Sequence, residues 1–188
     1  MKNTIILGLI LFLPLSVWGG ELKGTWVLEK SEITYQVTHP LHEVIGKSVS
    51  ARGKGICKKG DCQFLVAVPV KSFDSGDGNR DLHMLQITRG VDFPLIQVNT
   101  QFMANTAQLP RTITADWVIQ FAGKKATYPQ VALTVEPWHS TGAHITGTLP
   151  LHLKDFDISP PALLGVPIRD TVPVKLDLYW RKAEPTEK

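Results

Sequence analysis

The stretch Phe73–Thr88 reads FDSGDGNRDLHMLQIT, and it interrupts a chain that is otherwise patterned as β-strands. Two glycines break the extended pattern here, since glycine favours turns over strand interiors. The side chain of Asp77 or Asn79 can cap a short helix over residues 80–85. The stretch therefore predicts one short helix, entered through a polar turn, among strands.

Apolar residues alternate with polar ones along most of the remaining chain. This period of two is typical of strands with one buried face, and turn residues separate the segments. About eight strands with hairpin spacing, and a second short helix near residues 161–164, predict an all-β antiparallel barrel or sandwich. Periodicity alone does not choose between the two. The alternating apolar sets are Ile33/Tyr35/Val37, Phe64/Val66/Val68/Val70, Ile96/Val98/Phe102, Ile113/Ala115/Trp117/Ile119, Val131/Leu133/Val135, Ile145/Leu149/Leu151 and Val172/Val174/Leu176/Leu178/Trp180.

The first residues have the order of a secretory signal peptide. A lysine precedes the apolar run Ile5–Leu13, and small residues follow. This order predicts export with cleavage after residue 19, which places the mature protein in the periplasm. The run is too short for a comfortable membrane span, so we expect no stable membrane insertion. We divide the chain into a signal peptide (1–19), one domain (20–182) and a flexible tail (183–188).

Composition and motifs argue against several function classes. The formal net charge is +3 and the basic residues are scattered, which does not fit a nucleic-acid-binding surface. No G-x-S-x-G motif supports a serine hydrolase. His39, His42 and His83 lack the regular spacing of zinc ligands, so a metal site is the lesser interpretation for them. We expect a protein that is not an enzyme, with no catalytic residue and no bound metal.

Cys57 and Cys62 flank the turn-forming residues 58–61. In an exported protein, two cysteines at this spacing predict a disulfide across a hairpin. Closing so small a ring contributes about 2 kcal/mol to stability on the loop-entropy estimate. The spacing is not that of a Cys-x-x-Cys oxidoreductase, so a redox role is the lesser alternative.

Three motifs, in order along the chain, resemble the signatures of one family. Ile33–His39 matches I-x-F/Y-x-V-x-H, and Ser72–Met84 matches SFDSG followed by NRDxHM. Pro161–Val174 matches P-x-L-L-G-V-x-I-x-D-x-V-x-V. Together these motifs make the chain similar to the YceI-like family, a group of exported lipocalin-like barrels that bind long isoprenoid lipids. The cysteine pair is not part of the family pattern, so it carries no information about shared function.

The resemblance favours the barrel over the sandwich and implies an apolar isoprenoid ligand, of the quinone or polyprenyl phosphate type, bound for storage or transport. No other cofactor is expected. A fully packed core would look the same in sequence, but the resemblance favours a cavity, with glycines 46, 53, 55 and 147 and Ala115 leaving room inside. The side chains expected to line that cavity are Phe64, Phe73, Leu85, Phe93, Phe102, Trp117 and Leu149.

The polar residues Arg80, Asp81 and His83 have two interpretations. They form a structural plug at one end of the barrel, or they face a ligand head group, because an arginine fork suits a phosphate and a histidine suits a phosphate or carbonyl. The alternative for the whole protein is a secreted, stress-related interaction protein without a lipid ligand. A homodimer is compatible with the sequence, which does not determine the oligomeric state.

Overall fold

The computed structural model describes residues 23–39, 42–104, 109–139, 141–163 and 165–184. The predicted signal peptide lies outside these residues, as does the tail from residue 185. The described elements are β1 (Gly24–His39), β2 (His42–Ser48), β3 (Arg52–Lys58), β4 (Asp61–Pro69), a 3-10 turn (Val70–Ser72), α1 (Gly78–Ile87), β5 (Leu95–Met103), β6 (Thr112–Phe121), β7 (Lys124–Trp138), β8 (Gly142–His152), a second 3-10 turn (Leu153–Phe156), β9 (Ala162–Leu163), β10 (Val166–Pro167) and β11 (Thr171–Lys182).

The main sheet closes on itself to form a barrel. Its strand order is β11-β8-β7-β6-β5-β4-β3-β1-β2, all antiparallel, and β1 also pairs with β11. β2 pairs with the second half of β1 and β3 with its first residues, so these two strands share one edge of β1. The barrel therefore has eight strand positions, which confirms the predicted fold class and excludes the sandwich.

The inside of the barrel is built from the alternating apolar sets predicted from the sequence. On β6, for example, Ile113, Ala115, Trp117 and Ile119 are buried while their neighbours are exposed or half-buried. Successive side chains of a strand point to opposite faces, so each strand contributes one face to the interior. The same alternation holds on β7 and β11.

The interior glycines do not leave open space. A Cβ on Gly46 would lie 2.3 Å from the ring of Tyr35, and one on Gly55 would lie 2.3 Å from the ring of Phe64. Gly53 meets the indole of Trp180 in the same way, at 2.6 Å. The expectation that these glycines create internal room is therefore wrong, because bulky side chains of neighbouring strands occupy the space.

The predicted disulfide is confirmed. Cys57 and Cys62 are cross-strand partners at the end of the β3–β4 hairpin, and their sulfur atoms are bonded. Both residues are buried, at 1% and 0% exposure. The bond therefore ties together one hairpin inside the folded barrel.

One end of the barrel is covered by α1, which confirms the predicted short helix. The Asp77 carboxylate caps it by accepting hydrogen bonds from the backbone N–H groups of Asn79 and Arg80, at 2.9 and 3.2 Å. The preceding turn pairs with β2, since the backbone groups of Lys47 and Asp74 exchange two hydrogen bonds of 2.9 Å. The turn and the helix are thereby held against the barrel wall.

The second predicted helix, near residues 161–164, is wrong. Ala162 and Leu163 instead form β9, which pairs with β10. Two prolines precede this segment and favour extended backbone, and Gly165 has φ +79°, a conformation suited to the turn between the strands. A short helix of 3-10 type does follow β8, at Leu153–Phe156.

Candidate functional site

A cavity of about 430 Å³ runs along the interior of the barrel. At one end it is lined by Trp26 and Trp180, and at the other by His39 and Val44, where β1 turns into β2. Side chains of β1, β4, β5, β6, β7, β8 and β11 line it between these ends. The barrel interior is therefore not filled by its own side chains, unlike the packed core that the sequence left open as an alternative.

The lining is almost entirely aliphatic and aromatic. Apart from the tryptophans, the lining residues with polar or charged side chains are Tyr35, His39, Arg80, His83, Thr88 and Thr100. All but Thr100 lie on α1, its C-cap or the second half of β1. The cavity therefore has a polar end beneath α1 and an apolar remainder.

The inner face of α1 forms the cover of the polar end. Arg80, His83, Met84, Ile87 and Thr88 line the cavity, and their spacing is the repeat of one helix face. Arg80 and His83 are also exposed to solvent. Because the same side chains touch both the cavity and the surface, the cavity reaches the solvent at this end, which we call the mouth.

Arg80 and Asp81 hold the turn that leads into α1. The Arg80 guanidinium donates from Nη2 to the carbonyl oxygen of Ser75 at 2.9 Å and from Nε to its hydroxyl at 3.3 Å. The Asp81 carboxylate accepts from the backbone N–H of Ser75 at 3.1 Å. These contacts give both residues a structural role at the mouth.

The phenol of Tyr35 lies close to the same charged residues. Burial raises the pKa of Tyr35 above its usual value, the Asp81 carboxylate raises it further, and the Arg80 guanidinium partly opposes both. The ring also packs against Phe73, with centroids 5.5 Å apart. The mouth therefore brings together the neutral hydroxyl of Tyr35, the Arg80 cation and the Asp81 anion, beside the packed rings of Tyr35 and Phe73.

Five of the residues predicted for the cavity do line it: Phe64, Phe73, Phe102, Trp117 and Leu149. The ring of Phe64 stacks on Phe102 at 5.8 Å and meets the edge of Trp180 at 5.0 Å. This aromatic cluster narrows the cavity at the end opposite α1. Whether these side chains contact a ligand stays a prediction.

Leu85 and Phe93 lie outside the lining. Leu85 is on a side of α1 that does not line the cavity, and it packs beside Gly90. A Cβ added to Gly90 would lie 2.7 Å from Cδ2 of Leu85. Phe93 packs over the backbone of Gly123 and under the Arg89 guanidinium, whose carbon lies 5.4 Å from the ring centroid. Leu85 lies outside because the helical period places it on a different side of α1 from the lining residues, and Phe93 lies outside because its ring packs over Gly123.

Sequence reasoning did not propose several lining residues. Met84 and Ile87 belong to the helix face described above; the helical period groups them with Arg80 and His83, but only the docking of α1 makes this face the inner one. His39 is buried, and its ring nitrogen lies 3.1 Å from the carbonyl oxygen of Val166, so it bridges β1 and β10. Leu109 also lines the cavity, and no local pattern in the sequence signals that it packs there.

The described part of the chain contains neither a candidate metal centre nor a helix that could span a membrane. Within it, no three His, Cys, Asp or Glu side chains come together as metal ligands. Over the same residues, no helix has the length and apolar character needed to cross a bilayer. The candidate site is the barrel cavity with its polar mouth.

Comparison with known proteins finds its matches among solved structures. No family model matches the chain, and no curated protein matches it. The structure is similar to a polyisoprenoid-binding domain from Saccharophagus degradans implicated in plant cell wall breakdown, with TM-score 0.70 and 14% identity over 84% of this chain and 98% of that one.

Two further structures show the same likeness. Burkholderia cenocepacia BcnA has TM-score 0.63 and 16% identity, over 79% of this chain and 95% of its own. A Campylobacter jejuni YCEI protein has TM-score 0.53 and 12% identity, over 98% of this chain and 100% of its own. The chain therefore has the fold of the YceI proteins, as its sequence motifs predicted.

Proposed function

We propose that the protein holds the isoprenoid chain of a lipid inside its barrel, for storage or transport. The observation that carries this proposal is the apolar cavity of about 430 Å³, which lies in the size range of small-molecule sites, roughly 300–1,000 Å³. An eight-stranded barrel can hold one small ligand when its side chains leave the axis free. The polyisoprenoid-binding domain among its structural neighbours supports the same ligand class.

An apolar chain fits this lining better than a polar ligand does. Each methylene removed from water contributes roughly 0.8 kcal/mol, so some ten of them supply about 8 kcal/mol without any polar contact. That gain corresponds to roughly micromolar affinity before ordering costs. A polar ligand in the aromatic end of the cavity would lose hydrogen bonds to water, because Phe64 and Phe102 offer none in return.

The polar mouth is where the head group of such a lipid would lie, with the chain extending towards Trp180. Arg80 and His83 face both cavity and solvent, so a phosphate or a quinone carbonyl there could keep part of its hydration. Arg80 also anchors Ser75, which supports the interpretation as a plug. We propose that Arg80 serves both purposes and that His83 is the group available to a head group.

We also propose that the protein works in the periplasm after removal of residues 1–19. The disulfide between Cys57 and Cys62 supports an oxidising compartment, where such bonds persist. We propose that the protein binds the lipid there without acting as an enzyme. It would shield an apolar chain from water between two membranes.

Extraction of the protein purified from its native host tests the proposal. Organic solvent should release an isoprenoid lipid, identified by mass spectrometry, at close to one molecule per barrel. Titration of the stripped protein with a fluorescent isoprenoid should then saturate at the same ratio. An extract without any isoprenoid, together with absence of uptake by the stripped protein, would exclude lipid binding and favour an interaction protein that displays its loops.

A further inference from the structure

Apolar side chains are exposed on the outside of the barrel end that carries the mouth. Leu82 is 60% exposed, Val91 87%, Phe93 38% and Leu95 40%. We call these four side chains the rim patch. They lie within fourteen residues of sequence, on α1, on the loop after it and at the start of β5. Exposed apolar residues that are grouped in this way mark interaction surfaces, whereas single ones do not.

Leu82 lies on the side of α1 that faces away from the cavity. The lining positions of this helix are 80, 83, 84, 87 and 88, and residue 82 falls on the opposite side of the helical wheel. One face of the helix therefore covers the lipid cavity while the other presents a leucine to the surroundings. Packing in the barrel interior therefore does not explain why an apolar residue occupies position 82.

The loop that presents Val91 is fixed at both of its ends. The backbone N–H of Gly90 donates to the carbonyl oxygen of Leu85 at 2.7 Å. The backbone N–H of Val70 donates to the carbonyl oxygen of Pro94 at 2.9 Å. Val91 is thus held outwards on a backbone tied to both α1 and the end of β4, so its exposure is a property of the fold.

Basic groups accompany the rim patch. The Arg89 guanidinium lies 5.4 Å from the Phe93 ring centroid and donates to the carbonyl oxygen of Ala122. Lys71 is exposed on the 3-10 turn next to Pro94, and Asp92 is the acidic residue of the loop. Two cations against one anion give these residues a small positive excess, which suits an anionic lipid surface.

We propose that the rim patch seats the mouth of the barrel on the surface of a phospholipid bilayer. This inference rests on the proposed lipid-binding function, because an isoprenoid chain must leave or enter a bilayer. With the rim patch in the interface, the chain can pass beneath α1 into the cavity without crossing water. A bilayer is favoured over a protein partner because the patch adjoins the mouth, where a lipid would have to enter.

Vesicle flotation tests the docking. The wild-type protein should float with vesicles of phosphatidylcholine containing a minority of phosphatidylglycerol. The double variant L82Q/V91Q should show at least about tenfold weaker partition, since two apolar side chains no longer enter the interface. The matched control L65Q/M103Q removes side chains that are 44% and 73% exposed but lie away from the mouth, and it should float like wild type.

A second measurement separates docking from ligand binding. In buffer without vesicles, L82Q/V91Q should bind a short fluorescent isoprenoid alcohol as wild type does, whereas its transfer of that probe between vesicles should slow by about tenfold. Wild-type protein that does not float, or equal flotation of both double variants, would overturn the docking proposal even if the probe binds. Wild-type protein that floats but binds no isoprenoid would refute the proposed function and leave the docking surface standing.

Discussion

The substitution Leu149→Asn tests most directly whether the cavity holds the ligand. Leu149 lies on β8 opposite Val174, and both side chains line the cavity. Leu149 is 4% exposed, and asparagine has the same branched side-chain skeleton, so the change mainly adds polarity. Without ligand, water in the cavity can solvate the amide, and the barrel should still fold.

The expected loss of affinity follows from desolvation of that amide. An isoprenoid chain would displace the water and offer no hydrogen bond, which costs roughly 1–3 kcal/mol on scales derived from protein variants. This corresponds to binding weaker by about fivefold to 150-fold. The assay is fluorescence titration with an isoprenoid probe, after circular dichroism has shown that the variant is folded.

Thr148→Asn provides the matched control. Thr148 is adjacent on the same strand but exposed on the outer face, so the same amide there should leave affinity unchanged. A folded Leu149→Asn protein with wild-type affinity would place the ligand away from this position. The same result for Val98→Asn and Phe102→Asn would refute the cavity as the binding site.

Three further outcomes are expected. Replacing Cys57 and Cys62 by alanine should lower the free energy of unfolding by about 2 kcal/mol in denaturant titration. The isoprenoid affinity should stay unchanged, because neither residue lines the cavity. Lost affinity at unchanged stability would indicate a redox role. His83→Gln should weaken a phosphate-headed isoprenoid about tenfold or more but spare the bare hydrocarbon, whereas equal weakening of both ligands with a lower Tm would indicate a plug. Arg80→Gln should weaken the phosphate-headed lipid in the same way and, because Arg80 anchors Ser75, should also lower the Tm. Hydrogen bonds from the N–H groups of Arg80 and Asn79 lower the pKa of Asp77 below its usual value. Its cap therefore stabilises α1 above about pH 4 and is lost as the pH falls through that lowered pKa. Hydrogen exchange of α1 should show this loss in wild type and much less of it in Asp77→Asn, and equal pH dependence in both would contradict the cap.

Local patterns in the sequence predicted much of the wall of the barrel. The alternation on β6 and β8 placed Trp117 and Leu149 inside, because the strand period assigns each side chain to a face whatever its partners are. The capping residue and the cysteine pair are equally local, since Asp77 acts within its own helix turn and Cys57 and Cys62 share one hairpin. Such features need no knowledge of distant strands.

Local patterns were insufficient to assign which side chains of α1 line the cavity, because that depends on how the helix docks on the barrel. Leu85 and Met84 are neighbours of similar character, yet Met84 lines the cavity and Leu85 packs beside Gly90. The docking angle of α1 decides between them, and it depends on contacts such as those of Asp74 with Lys47 on β2. Phe93 lies outside the lining because its ring, on the loop after α1, packs over the backbone of Gly123.

By itself, the sequence determined the all-β class, the inward face of most strands, the helix start and the disulfide, because each rests on residues close together in the chain. The choice of a barrel over a sandwich came from the family resemblance. Only the tertiary structure decided that a cavity of about 430 Å³ remains and that its mouth lies beneath α1. Strand number and stagger set the volume that the barrel encloses. The internal space is the part of that volume that the inward side chains leave unfilled. The ring of Tyr35 filling the space beside Gly46 shows why no count of small residues could supply that difference.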